Sequence, residues 1–504
     1  MRELNNLGDL IDRSLDLDRL AVIDLRDPQA PREYTHRDID ELAGGVAHWL
    51  VARGLARGAR VAILALNRTE YIATYFGIMR AGFVAVPVNT KLAADAIAYV
   101  LQDASVELAF VDAARCAVVP AGMPRVDFDD AGPEGFAARI RPAPFETVVP
   151  AEGEVAQILY TSGSTGRPKG VPLSHAGQLW ALCAKPLAPG AENERQIVAQ
   201  PLFHMNGLMT TKGVFRAGAS MVVMPGFDTR AYTEALSRHR VTTVTAVPTM
   251  FARVIKELEG RDDLDLSHLK RIALASAPIT ATMLERIGRA IPSAQLGVGY
   301  GTTEAGPSPF TAHPDGRPAP PLALGVAFPG SELKLVDGPD ENEGVLMMRN
   351  PSVMTGYLNL PEKSAQVLRD GWYYSGDVMR RDADGFYYFI GRADDMFVCS
   401  GENIYPGEVE KLLERHPGIQ QAVVVPLPDE ERSHVPVAFV IRRAGAEPSV
   451  EEIKRFAIEN GPAYQHPRRI RFLADMPWAG TNKIDRNALV TRARELEAAN
   501  DWSR

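Results

Sequence analysis

Residues 156–170 read AQILYTSGSTGRPKG: an apolar run breaks into Thr161, Ser162, Gly163, Ser164, Thr165 and Gly166, and Lys169 follows three positions later. The run AQILY has the length and apolar content of a buried strand. Beyond it, bare glycine amides and hydroxyls can close around anionic oxygens, with the Lys169 ammonium supplying charge. A Walker loop places its lysine directly after the last glycine, whereas Arg167 and Pro168 intervene here. The nucleophile-elbow pattern GxSxG is also absent from the loop. A strand that feeds an anion-binding loop belongs to an α/β framework, and the flanking sequence can be read for that framework.

Upstream, residues 21–117 alternate short apolar runs (RVAILAL, FVAVPV, LAFVD) with helical stretches such as residues 38–53, the pattern of a parallel sheet with crossover helices. Residues 118–154 are rich in Pro, Gly and Ala with weak periodicity and read as a surface connection. Downstream, residues 196–296 (ASMVVMP, VTTVTAVP, RIALASA) repeat the alternation and suggest a second α/β layer system. After Gly325 the composition turns to strands and turns, in ELKLVDGPDENEGVLMM and DGFYYFIG. From Asp394 the helix-like EVEKLLERH, the strands QAVVVP and VAFVIR and the helix EEIKRFAIEN make a compact α+β unit. The expected fold is therefore α/β. A large N-terminal part, residues 1–393, holds two α/β sheet subdomains and a β-rich subdomain, and residues 394–504 form a small, mobile α+β domain.

The chain length of 504 residues exceeds what one core supports, and 46% hydrophobic content fills at least two. A net charge of −8 with dispersed basic residues offers no track for a polyphosphate backbone, which argues against nucleic acid as a partner. The start, MRELNNLGDLIDRSLDLD, lacks the basic and apolar regions of a secretory signal, and no apolar run reaches the length of a membrane span, so a soluble cytoplasmic protein is expected. Cys116, Cys183 and Cys399 are far apart in sequence, form neither a disulfide framework nor a zinc pattern, and read as small buried hydrophobes.

The stretch YTSGSTGRPKG resembles the signature of the adenylate-forming superfamily, which includes acyl-CoA synthetases, luciferases and peptide-synthetase adenylation domains. Further motifs of that superfamily follow in order along nearly the whole chain. The resemblance implies an enzyme that consumes ATP with Mg²⁺ and uses coenzyme A as co-substrate. It converts a small to medium carboxylic acid to acyl-AMP and pyrophosphate, then to acyl-CoA and AMP. It assigns Thr161, Ser162, Gly163, Ser164, Thr165, Gly166 and Lys169 to the ATP phosphates, with Thr161, Glu304 and Lys483 as the catalytic set. YGTTE supplies Tyr300, Gly301, Thr302 and Thr303 to the nucleotide, with the Tyr300 ring stacked on adenine and Glu304 on the metal, roles that suit a π face and a hard carboxylate oxygen. Ser276, Ala277, Pro278, Gly299 and Phe389 complete the nucleotide site. Asp377, in SGD, accepts from both ribose hydroxyls, and Arg392 reaches the same sugar.

Asp394 matches the hinge about which the C-terminal domain of the superfamily swings between half-reactions. Ser400, Gly401, Glu402 and Asn403 match the loop that lines the coenzyme A channel after that rotation. In PWAGTNKIDR, Lys483 matches the lysine that bridges the acyl carboxylate and the α-phosphate, where a cation offsets developing charge. Asn482 stands where glycine is usual; asparagine tolerates left-handed backbone better than other non-glycine residues. The resemblance places the acyl pocket among PLFHMNGL (residues 201–208), the helix after Pro248, and SAP (residues 276–278) leading to Gly299. His204 matches its gate, and Asn206, Lys212 and Arg253 can contact a polar tail. A cationic pocket would suit a dicarboxylate or hydroxyacid; one lined by Met205, Met209 and Met250 would suit a medium-chain or aromatic acid. The rival readings are an enzyme that loads an acyl carrier protein in place of coenzyme A, a luciferase-type oxidase, and a nucleotide sensor without chemistry. A homodimer and a lysine acetyltransferase acting on Lys483 are further expectations about partners.

Overall fold

The computed structural model describes residues 4–161, 167–184, 186–277, 279–306, 309–400, 402–429, 431–478 and 484–503. Two sheets of mixed but mainly parallel strands form the body of the N-terminal part. One has six strands, in the order Arg125–Asp127, Val106–Val111, Arg60–Leu64, Val84–Pro87, Val155–Thr161, Lys169–Ser174. The other has seven, in the order Gln295–Val298, Arg271–Leu274, Thr243–Ala246, Arg195–Val198, Ser220–Val223, Leu20–Asp24, Arg32–Thr35. An antiparallel five-stranded sheet follows, running from Glu332–Asp340 to Tyr387–Arg392. A second five-stranded sheet is confined to the C-terminal region and has its own core, from Phe397 to Leu496, centred on Val423, Val437, Phe439 and Ile453.

Three sequence expectations are corrected. The strand Leu20–Asp24 does not join the first α/β sheet; it pairs in parallel with Ser220–Val223, Val22 opposite Met221. Four of its five residues are buried, and a strand buried on both faces is apolar throughout, so nothing in LAVID tells one sheet from another. The segment 118–154 is more than a surface connection. It contributes the edge strand Arg125–Asp127, and Phe128 and Phe136 pack with Phe110 at ring separations of 5.9 and 6.2 Å, with Ile140 also buried. Cys399 is buried as expected, but Cys116 is half-buried and Cys183 is exposed. Among the described residues no helix is long and apolar enough to cross a membrane.

The helix Met205–Ala217 packs on the strands Arg195–Val198 and Ser220–Val223 of the seven-stranded sheet and on the helix His175–Cys183. It ends where Gly218 turns left-handed at φ 63°, which releases the chain into the strand Ser220–Val223. The next helix, Pro248–Leu258, starts on a proline whose missing N–H costs nothing at that position. Both helices open onto one large cleft.

Candidate active site

The cleft has a volume of about 2760 Å³ and is lined from both the N-terminal part and the C-terminal region. On one side stands a hairpin. Strands Val155–Thr161 and Lys169–Ser174 are antiparallel, with Thr161 opposite Lys169, so those two residues form the base of the Ser/Gly run. A strand, and not a helix, follows the loop, so the positive charge at this point comes from Lys169 and not from a helix dipole. Thr161 Oγ1 is buried and has no hydrogen-bond partner among the described residues. Lys169 Nζ sits 4.3 Å from the centroid of the Tyr357 ring, and the Tyr357 hydroxyl donates to Glu304 at 3.1 Å. Burial lowers the Lys169 pKa, and Glu304 opposes the shift. Residues 162–166 lie outside the described residues.

The middle of the cleft is organised by Asp377. Its carboxylate accepts from the Arg392 guanidinium at 2.8 Å and from the Tyr300 hydroxyl at 2.5 Å, and its backbone N–H donates to Ser375 Oγ at 3.0 Å. Gly376 between them is left-handed, and a Cβ there would stand 3.0 Å from Arg392 Nη2, so only glycine leaves the guanidinium this close. Burial and the Asp377 charge push the Tyr300 phenol well above its ordinary value, which keeps it a donor. Burial would lower the Arg392 pKa, but Asp377 and Asp394 outweigh it and hold the guanidinium charged. Arg392 also donates to exposed Asp394 at 3.0 Å, so one side chain links the Asp377 site to the expected hinge. Phe389 lines the cleft beside this group, and its carbonyl accepts from Lys411 Nζ at 2.8 Å.

Of the residues expected in the acyl pocket or the nucleotide site, His204, Asn206, Ser276, Ala277, Gly299, Gly301, Thr302 and Thr303 all line the cleft. Asn206 Nδ2 donates to Ser276 Oγ at 3.4 Å, and Ser276 is left-handed at φ 69°. Met205, Met209 and Met250 line it as well. Lys212 does not, which corrects its expected contact with an acid tail. It is 0% exposed, donates to Gln178 at 3.0 Å, and burial lowers it to about 7. Helical spacing explains the difference, because Lys212 falls on the inward face of its helix and Met209 on the cleft face. Arg253 lines the cleft and stacks on Trp478 of the C-terminal region, 5.3 Å from the ring centroid.

The C-terminal region presents the base of the lysine loop. Trp478, Ile484 and Asp485 line the cleft, Trp478 and Ile484 form an antiparallel bridge, and Asp485 N–H donates to Pro477 at 2.9 Å. Lys483, Asn482, Pro278, Gly401 and the side chain of Asn403 lie outside the described residues. Ser400 and Glu402 are exposed on a hairpin that does not line the cleft. Tyr357, Lys411 and the stacking of Trp478 went unread in the sequence. Trp478 lay inside a quoted motif, whereas Tyr357 and Lys411 carry no local signal and are found only through their partners.

Residues 14–358 match the AMP-binding enzyme family, and residues 408–483 match the AMP-binding enzyme C-terminal domain. The chain is 32% identical over 481 residues to a fatty acid–[acyl-carrier-protein] ligase of Streptomyces coeruleorubidus, covering 92% of each. It is 32% identical over 472 residues to a feruloyl-CoA synthase of an Amycolatopsis species, covering 89% of this chain and 92% of that one. Its fold superposes on an anthranilate CoA ligase in complex with anthranoyl-AMP with a TM-score of 0.87, at 28% identity and 98% coverage of each chain. By these matches, the chain belongs to the AMP-binding enzyme family.

Proposed function

We propose that the protein is an AMP-forming acyl-CoA synthetase that activates an apolar carboxylic acid. The observation that carries the reading is the single cleft that joins Thr161, Lys169 and Glu304 to the Asp377–Arg392 pair and to the base of the Lys483 loop. In the first step the acid carboxylate attacks the α-phosphate of ATP, a P–O bond forms, and pyrophosphate leaves. The Ser/Gly loop and Lys169 hold the departing phosphates, Asp377 accepts from the ribose hydroxyls, and Lys483 offsets charge where the bond forms. In the second step the coenzyme A thiolate attacks the acyl carbon and AMP leaves. Between the two steps the domain turns about Asp394, which requires the exposed Arg392–Asp394 pair to open, and brings in Ser400, Gly401, Glu402 and Asn403 for the thiolate.

Magnesium fits this site through Glu304 and the buried Thr161 hydroxyl, which has no hydrogen-bond partner among the described residues. Bound there, it would neutralise phosphate charge. Among the described residues no group of three His, Cys, Asp or Glu side chains could hold a metal. The methionine lining, the sequestered Lys212 and the engagement of the Arg253 guanidinium on the Trp478 ring favour a medium-chain or aromatic acid over a dicarboxylate. A second reading, transfer to an acyl carrier protein, is favoured by the relative whose name specifies that acceptor.

ATP–pyrophosphate exchange that requires the acid but not coenzyme A tests the first step; exchange without acid would overturn it. Asp377→Asn is expected to raise KM for ATP about 10- to 100-fold, the loss of one charge-assisted hydrogen-bond set, with a smaller effect on KM for the acid. An equal rise in both would remove Asp377 from the ribose.

A further inference from the structure

The segment 350–359 connects the strand Glu343–Arg349 to the helix Pro361–Val367 and is tied to both sides of the expected phosphate site. On one side Met354 N–H donates to the Glu304 carbonyl at 2.7 Å; on the other, Leu358 N–H donates to the Gly170 carbonyl at 2.8 Å. Gly170 stands opposite Tyr160 in the hairpin, and the Tyr160 hydroxyl donates to the Asp103 carboxylate at 2.7 Å. Asn359 Nδ2 donates to the Asp103 carbonyl at 3.0 Å, which fastens the same segment to the hairpin a second time. Tyr357 N–H donates to Ser364 Oγ at 2.8 Å and so seats the residue on the following helix. A side chain carried on a segment braced in this way is held in one place.

That side chain touches two opposite charges. Lys169 Nζ lies 4.3 Å from the centroid of the Tyr357 ring, and the Tyr357 hydroxyl donates to Glu304 Oε1 at 3.1 Å. Tyr357 is 6% exposed and Glu304 9%, while Lys169 is half-buried, so the contacts are made largely away from water. Burial lowers the Lys169 pKa, and Glu304 is near enough to oppose the shift. Even so, among the described residues the ammonium and the carboxylate form no ion pair; each meets the tyrosine instead. In a poorly solvated cleft two such charges attract strongly. The ring offers the ammonium a π face and the phenol gives the carboxylate a charge-assisted hydrogen bond, so both are stabilised without touching.

We propose that Tyr357 is a positioning residue that keeps Lys169 and Glu304 from neutralising one another, which leaves the ammonium available to the phosphates of an arriving nucleotide and the carboxylate to their counter-ion. The proposal rests on the reading of this cleft as the ATP site and adds the residue that keeps its two charges separate. Without the ring, the flexible Lys169 side chain closes on Glu304, and ATP must open that pair in order to bind. Without the hydroxyl alone, the ring still separates the charges, but the Glu304 carboxylate loses a donor and its fixed orientation.

The test is equilibrium binding of ATP to the full chain, without acid or coenzyme A, first in EDTA and then with magnesium. It compares the unmodified enzyme with Tyr357→Phe, Tyr357→Leu, Glu304→Gln and the double variant Tyr357→Leu/Glu304→Gln. Tyr357→Leu is expected to weaken metal-free ATP binding about tenfold. In the Glu304→Gln background the same change should weaken it less than about twofold, because no carboxylate remains to capture Lys169. Tyr357→Phe, which keeps the buried ring, should leave metal-free binding within about twofold, while the factor by which magnesium strengthens ATP binding falls about tenfold. A residue that merely packs would move neither the coupling nor the magnesium factor. Equal Tyr357→Leu losses with and without Glu304, or an unchanged magnesium factor in Tyr357→Phe, overturns the proposal, and acid-dependent AMP release by the unmodified enzyme would then leave the ligase reading standing. The tenfold coupling, with no acid supporting AMP release, would support the role of Tyr357 and contradict the ligase.

Discussion

Lys483→Ala is expected to slow acid-dependent adenylate formation about 100- to 1000-fold, the usual cost of removing one preorganised charge from a site where charge develops. Coenzyme A-dependent release of AMP from supplied acyl-adenylate should remain largely intact. The expectation follows from what surrounds the loop: Trp478 and Ile484 bridge at its base, both line the cleft, and Arg253, from the helix Pro248–Leu258, stacks on Trp478. The Ser400–Glu402 hairpin, by contrast, stands away from the cleft in this arrangement. Single-turnover measurement of each half-reaction checks the split. Equal loss of both would mean that Lys483 supports the domain and not one chemical step.

Arg486→Ala is expected to lower the stability of the C-terminal region by about 3 kcal/mol, toward the lower end for breaking a buried pair because the arginine is partly exposed. Its guanidinium donates to both oxygens of Glu410, at 2.7 and 2.8 Å, and to the Val424 carbonyl at 3.0 Å, while Glu410 also accepts from Val424 N–H at 2.8 Å. Removing the cation leaves a Glu410 carboxylate that is 9% exposed without its partner. Arg486 begins the helix Arg486–Ala499 two residues after Ile484, so the same change loosens the far end of the lysine loop. Denaturant unfolding followed by limited proteolysis of the C-terminal region checks this. Unchanged stability would show that the helix Arg486–Ala499 is held without the pair.

These two residues also mark what the sequence made legible. Lys483 is legible as a letter of a motif, and so are Tyr300, Asp377 and Arg392, because each lies in a short run whose residue types fit one task. What Arg486 touches was hidden, since Glu410 lies 76 residues away and nothing local ties them. Tyr357 was missed for the same reason: its partners Glu304 and Lys169 come from other parts of the chain. The alternation of strands and helices gave the α/β class, but the sheet that receives Leu20–Asp24 is set by pairing with residues two hundred positions on. Residues 118–154 looked superficial because their buried apolar residues, Val119, Val126, Phe128, Phe136 and Ile140, are scattered and follow no single period. The contrast between Lys212 and Met209 needed the helix phase, which the residues alone supply only once the buried face is known.

The most direct test of the central claim is a product balance for the purified enzyme with ATP, magnesium, coenzyme A and decanoate or cinnamate. The account predicts AMP, pyrophosphate and acyl-CoA in equal amounts, each requiring the acid. Release of ADP, or AMP formed with no thioester until a carrier protein replaces coenzyme A, would contradict it.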